Sequence, residues 1–218
     1  MTPPPVEPEE PLRVDREVQD QCLWSSDEST ALCTLRRDLG FGLEHELSFV
    51  SAKGKADKLT LAKFKGDAFT EVPPSMVPEP ARAALRARIA EKHYRAIADD
   101  EECKVLESEQ SPARVDLPTF SVRLTLEDHG YGCPGGHCGK ALGQYDLACA
   151  SPKAKPKWRR VMTLTSHSIV TSNTSRVCLL DHRFVLVTGD IGGRNEEGYR
   201  GERSAAVIDL DTECPKPK

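Results

Sequence analysis

Thr119-Phe-Ser-Val-Arg-Leu-Thr-Leu126 is the stretch whose reading decides the fold class. Phe120, Val122, Leu124 and Leu126 alternate with Ser121, Arg123 and Thr125. A period of two places the apolar side chains on one face of an extended strand and the polar ones on the other. Clean alternation marks an antiparallel strand with one face in a core and the other toward solvent; strands of an all-parallel sheet read as unbroken apolar runs. Downstream, Gln144–Ala150 reads as a returning strand. Val161–Ser166, Ser168–Thr171, Arg176–Leu180, Phe184–Thr188 and Ala205–Leu210 follow as short segments rich in Val, Ile, Leu and Thr. Ser-Asn, Asp-His and Gly-Gly stretches separate them as turns. Upstream, Leu47–Ser51 and Leu59–Phe64 flank a polar connection at 52–58 and read as a hairpin, with a third strand at Ala68–Val72.

Between these regions lies one segment with helical composition, Pro80 to Ala98, rich in Ala, Leu, Arg and Glu and opened by a first-turn proline. Leu85, Ile89, His93, Ala96 and Ile97 fall on one stripe, which gives the helix a buried face with His93 packed in it, and Glu91 and Arg95 are spaced for an i,i+4 pair. The acidic run Asp99-Asp100-Glu101-Glu102 stops the helix, because it opposes the negative end of the dipole. Together the segments predict an α+β, mainly β fold: antiparallel strands in a meander, sandwich or small barrel, with one amphipathic helix near residues 80–98. Residues 1–12 hold five prolines and three glutamates and read as a disordered tail. Residues 13–214 form a single globular β-rich domain, with a candidate sub-boundary near 103–118, and 215–218 a short C-terminal tail.

Composition narrows the function class. The net charge is −4, and no apolar run approaches the roughly 20 residues that span a bilayer as a helix. Residues 1–30 carry eight acidic and two basic side chains, and residues 151–218 twelve basic and eight acidic. Neither region has the sustained basic field of a nucleic-acid binder. Eight cysteines fall at 22, 33, 103, 133, 138, 149, 178 and 214, scattered rather than gathered in CxxC pairs. An even, scattered set suits disulfides and an oxidising compartment. With the proline- and acid-rich opening read as the tether after a removed leader or lipid anchor, the expected location is secreted, periplasmic or lipoprotein-tethered. A cytoplasmic protein with free thiols is the alternative.

Directly after the opening strand comes His129-Gly-Tyr-Gly-Cys-Pro-Gly-Gly-His-Cys-Gly-Lys140, with five glycines. So glycine-rich a loop holds one shape only when cross-linked. Cys133 and Cys138 bracket a Pro-Gly turn and read as a disulfide; Cys22 and Cys33 read as a second, local one. The competing reading is zinc held by His129, Cys133, His137 and Cys149, but the spacing matches no standard zinc module and adjacent His137 and Cys138 point poorly at one ion. Connectivity among Cys103, Cys149, Cys178 and Cys214 is not readable from sequence.

Other clusters are weaker. Asp190-Ile-Gly-Gly-Arg-Asn-Glu-Glu197 reads as a polar loop, and with Asp209, Asp211 and Glu213 it offers hard oxygen ligands, but without the EF-hand pattern. Lys153, Lys155, Lys157, Arg159 and Arg160 surround Trp158 as a solvated basic turn. Asn173-Thr174-Ser175 is a formal glycosylation acceptor. Asp128 and Asp146 flank the glycine-rich loop without completing a motif. No catalytic residue, cofactor or nucleic-acid partner is assigned. The chain reads as a disulfide-stapled β-rich module with a binding or structural role toward a protein or cell-surface partner. The alternative is a metal-dependent hydrolase built on the His129/Cys133/His137 loop.

Overall fold

A computed structural model describes residues 22–38, 43–63, 78–97, 103–106, 112–128, 141–150, 155–166, 172–195 and 198–214. Their strands are β1 (Leu23–Ser25), β2 (Thr30–Asp38), β3 (Leu43–Ser51), β4 (Gly54–Lys63), β5 (Arg95–Ala96), β6 (Cys103–Leu106), β7 (Ala113–Asp116), β8 (Phe120–Asp128), β9 (Ala141–Cys149), β10 (Arg159–Ser166), β11 (Ser172–Leu180), β12 (Phe184–Asn195) and β13 (Gly198–Asp209). Two helices, α1 (Glu79–Glu91) and α2 (Leu210–Glu213), complete the described elements. The fold is mainly β and antiparallel, as the alternation in the 119–126 stretch requires.

Four strands form one sheet in the order β10-β9-β8-β7; a nine-stranded sheet runs β4-β3-β2-β13-β12-β11-β6, with β1 on β2 and β5 on β1. The apolar set of β8 (Phe120, Val122 and Leu124) is buried against Val177, Val185, Val187 and Ile191 of the large sheet. The polar set faces out, so the alternation is the pleat of a sheet whose one face covers a core.

Phe184-Val-Leu-Val does not alternate, and the structure gives the reason. Val185 and Val187 face the small sheet, whereas Phe184 and Leu186 enter a second core with Trp24, Cys33, Leu35, Ile97 and Val207. A strand covered on both faces has no solvent side to make polar. The second core lies where β2 joins β13 in the large sheet, with Arg203 opposite Arg36. Trp24 marks the closure: its indole donates to Asp181 at 2.7 Å in the β11–β12 turn, and its ring lies 5.3 Å from that of Phe184.

The two sheets interlock through Tyr145. Its ring crosses the first core, fully buried, and its hydroxyl meets Ser175 Oγ at 2.8 Å. Gly189, directly opposite Ser175 in the β11–β12 ladder, makes room for it. A Cβ at 189 would stand 2.3 Å from the Tyr145 hydroxyl oxygen.

The helix is shorter than its composition suggests. It ends at Glu91, Lys92 caps it, and His93 adopts φ 50°. Tyr94 N–H reaches Ile89 O at 3.0 Å and His93 N–H reaches Ala90 O at 3.4 Å. These two reversed bonds are a Schellman stop, formed with His in place of the usual glycine. Only Leu85 is buried on the helix, against Leu32, Leu47 and Phe49, with Ile89 and Tyr94 at the margin of that cluster. His93 is not a packing residue: its side chain is 79% exposed and pairs with Asp27. Glu91 and Arg95 do not pair along a helix, since Arg95 lies in β5; Glu91 meets Lys92 instead, and Arg95 approaches Asp181. Ile97 belongs to the second core, beyond the helix altogether.

Two further expectations change. The connection at 52–58 is a two-residue turn at Ala52 and Lys53, with Gly54 at φ 106° opening β4. Asp190–Glu197 is not a polar loop from its start: β12 runs through to Asn195, because Ile191 is buried on the small sheet and Gly192 pairs with Gly201. The strands expected at 68–72 and 168–171 lie outside the described residues.

Candidate functional site

The curl of the large sheet leaves a cavity of about 360 Å³ between β2 and the inner faces of β11, β12 and β13. Ladder register explains its lining, because residues directly opposite in neighbouring strands share a face. The innermost row is Cys103, Cys178 and Leu186. Next come Arg176, Thr188 and Ala205, and then Thr174, Asp190 and Arg203, with Arg36 behind them opposite Arg203. The wall passes from apolar to hydroxylic to charged over two strand steps. Leu35, Leu186, Ala205 and Ile97 are buried at the inner end, while Thr174 is exposed at the outer one. Two disulfides, Cys22–Cys33 and Cys103–Cys178, stand in the wall.

Charge at the outer end is tightly arranged. Arg36 Nη2 donates to Asp190 Oδ1 at 2.5 Å, and Arg203 donates from Nε to Oδ2 at 3.0 Å. Arg36 also reaches the Gly201 carbonyl at 3.1 Å. Both carboxylate oxygens of Asp190 are therefore engaged by guanidinium groups, and Arg176 adds a third cation to this end. His45, directly opposite Arg36 in the β2–β3 ladder, reports the field. Burial, then the charges of Arg36 and Arg203, press its pKa down to about 4, against the opposing pull of Asp190. Thr34 also lines the cavity, and its buried hydroxyl oxygen has no hydrogen-bond partner among the described residues.

The four cysteines in the wall are paired and supply no thiolate. Asp190, the lining carboxylate among the described residues, already accepts from two arginines, which disfavours it as a general base. No protein-family model, curated protein or solved structure matches the chain.

The candidates taken from sequence fare differently. Cys22 and Cys33 are bonded to each other. Cys149, a candidate zinc ligand by sequence, is bonded to Cys214 and offers no thiolate to a metal. His129, Cys133, His137 and Cys138 lie outside the described residues. Among the described residues no group of three or more His, Cys, Asp or Glu side chains is placed to hold a metal ion. The acidic set is dispersed: Asp190 sits at the cavity, Asp209 caps α2 and pairs with Arg183, and Glu213 pairs with Arg159. Hydrogen bonding by the Arg183 guanidinium holds the Asp209 carboxyl below its ordinary range.

The basic turn is also partnered. Arg160 and Arg123 clamp the buried Asp146 from its two oxygens, at 2.6 and 3.0 Å, and the Arg123 guanidinium lies 4.4 Å from the Trp158 ring centroid. Burial pushes the Asp146 carboxyl up, but these two arginines outweigh it and keep it ionised below its usual range. Trp158 thus stacks on the protein's own arginine.

Sequence reading missed the cavity's charged end because Arg36, Arg176, Asp190 and Arg203 come from four strands with no shared spacing. One local signal was present. In the series Phe184, Leu186, Thr188, Asp190 a charge falls where the strand points inward, and an inward charge needs partners.

Proposed function

We propose that the protein is an exported binding module, secreted or tethered to the cell envelope, whose disulfides hold open a ligand cavity in a curled β-sheet. The observation that carries this reading is the presence of two disulfides in the cavity wall. Disulfides persist in oxidising compartments and are reduced in the cytosol. A cavity wall made of β-strands tends to collapse onto its own apolar floor, and cross-links between strands oppose that. Residues 13–214 act as one unit in this reading, because Cys103–Cys178 and Cys149–Cys214 each tie together segments far apart in sequence, with separations of 75 and 65. No described helix is long and apolar enough to cross a membrane.

The test is production of the full chain under oxidising and under reducing conditions. The oxidised chain should melt cooperatively. The reduced chain should lose most of its stability, since closing loops of these lengths is worth about 4 kcal/mol each in the chain-entropy model. A reduced chain as stable as the oxidised one would show that the bridges are dispensable and that nothing requires an oxidising compartment.

A further inference from the structure

We infer that the groove beside the C-terminal half of β13 takes an extended acidic peptide, which adds to β13 as a further strand. This place lies apart from the ligand cavity, and the inference does not depend on what the cavity binds.

Strand geometry comes first. A groove of about 570 Å³ is lined by residues 205–209 of β13, the β3–β4 turn at 50–54 and the start of β10 at 159–161. Successive side chains of a strand point to opposite faces. Here Ala205 and Val207 lie in the second core, and Ala206 and Ile208 against the first. Five consecutive residues therefore line one groove through their backbone edge. The other edge of β13 is taken by β12 along its whole length. On the groove side the described strands pair with β13 at one position, Arg203 opposite Arg36, so the ladder stops short of residue 205. Leu210 N–H donates to Arg183 O at 3.0 Å, toward β12. Alternation aims the backbone groups of Ala206 and Ile208 the same way, and those of Ala205 and Val207 into the groove. The Gly201 carbonyl belongs to the latter series and accepts from Arg36 on that side. Such an edge is a template for another extended chain. Taking the ~30 Å³ that a water molecule occupies, the groove holds about 19 non-hydrogen atoms, close to four small residues. At about 3.4 Å per residue, four residues also match the length of 205–209.

Charge sets the kind of peptide. The runs that supply and flank the lining, 50–58, 151–161 and 205–218, hold ten basic and four acidic side chains. Asp146 and Arg183 pair with Arg160 and Asp209 from outside those runs, and their charges cancel. The acidic run 99–102 joins Ile97 to Cys103, neither of which lines this groove. Arg159, Arg160 and Asp209 are already in ion pairs, so the attraction rests on no single open cation. The surplus acts as a field that draws in negative charge.

The probe is a capped, fluorescein-labelled hexapeptide of alternating glutamate and valine, titrated into the oxidised full chain and followed by fluorescence anisotropy. One-to-one saturable binding is expected below about 1 mM, weakening as salt is raised. The lysine–valine counterpart should bind at least tenfold more weakly. So should the glutamate–valine peptide methylated at every backbone nitrogen, which keeps the charge and loses the strand donors. K53E reverses a charge on the exposed turn at the rim and should weaken binding at least fivefold. K104E, on β6 three strands from β13, should leave it unchanged. A205P removes a backbone donor from the groove edge while sparing the β12 ladder, and should cost at least tenfold; if its melt shows it unfolded, the methylated peptide and K53E decide. E7Q/E9Q/E10Q should bind as the parent does, and a tenfold gain would assign the groove to the chain's own acidic N-terminal segment instead. Equal binding of the methylated peptide, equal losses in K53E and K104E, or full displacement by an equimolar heparin hexasaccharide would overturn the assignment. So would the absence of any binding to a folded, oxidised chain, a result that leaves the cavity reading intact.

Discussion

Replacing Gly189 with Ala tests whether the two sheets are locked as described. The added Cβ would lie 2.3 Å from Tyr145 Oη, 2.6 Å from Cζ and 3.0 Å from Leu164 Cδ1. Attractive carbon contacts sit at roughly 3.5–4.0 Å, so the Tyr145 ring must retreat by about 1 Å. It has nowhere to go, being fully buried between the sheets. Overpacking of this kind costs about 1–3 kcal/mol. Moving the ring also breaks its bond to Ser175, and leaving the buried Tyr145 hydroxyl unpaired adds about 1–3 kcal/mol. The expected loss is therefore about 2–6 kcal/mol, a large share of the stability of a typical domain. Urea unfolding followed by tryptophan fluorescence should show a much lower midpoint with an unchanged slope. Tyr145→Leu in the same chain removes the obstructing ring, so the double variant should be at least about 1 kcal/mol more stable than the two single losses combined. A Gly189→Ala variant with the parent midpoint, or strict additivity with Tyr145→Leu, would refute the interlock.

Among the disulfides, loss of Cys149–Cys214 as a double serine variant should cost about 4 kcal/mol and loss of Cys22–Cys33 about 3, because their sequence separations are 65 and 11. Thermal melts of the two variants give the order directly. Thiol titration of the denatured, unreduced chain should find at most the two thiols of Cys133 and Cys138, with six of the eight cysteines already bonded. His45 gives a pH dependence: its folded pKa of about 4 lies below the unfolded value of 6.5. Above pH 6.5 it is neutral in both states and has no effect. As pH falls from 6.5 to 4 the unfolded chain takes up the proton first, so stability drops by about 2–3 kcal/mol after allowance for partial exposure. His45→Gln should flatten that window in a series of denaturant midpoints, while loss from the depressed carboxyls Asp146 and Asp209 continues at lower pH. Leu85→Asp should lower the melting temperature strongly, since it places a charge against Leu32, Leu47 and Phe49; the parent melt would show that α1 does not pack there.

The residue pattern itself located most of the described strands in the second half of the chain, though not where β12 and β13 end and begin. A period-two alternation such as 120–126 has one low-energy solution, a strand with one covered face, wherever in the molecule it is placed. The helix near residue 80 was equally local, but its end was not. The stop at His93 came from backbone bonds made as Tyr94 packs beside Phe49, with ring centroids 5.7 Å apart. Cysteine spacing pointed to the short Cys22–Cys33 loop, because nearby residues are held together by the chain between them. It was silent on Cys103–Cys178 and Cys149–Cys214, whose partners are brought together only by strand order. The same limit hid the cavity. Arg36, Arg176, Asp190 and Arg203 become neighbours through the curl between β13 and β2, a property of how the sheet closes on Trp24 and Phe184. Alternation fixes which way a side chain points from its strand, whereas what it meets there depends on the strands laid opposite, and that is decided by burial summed over the whole molecule.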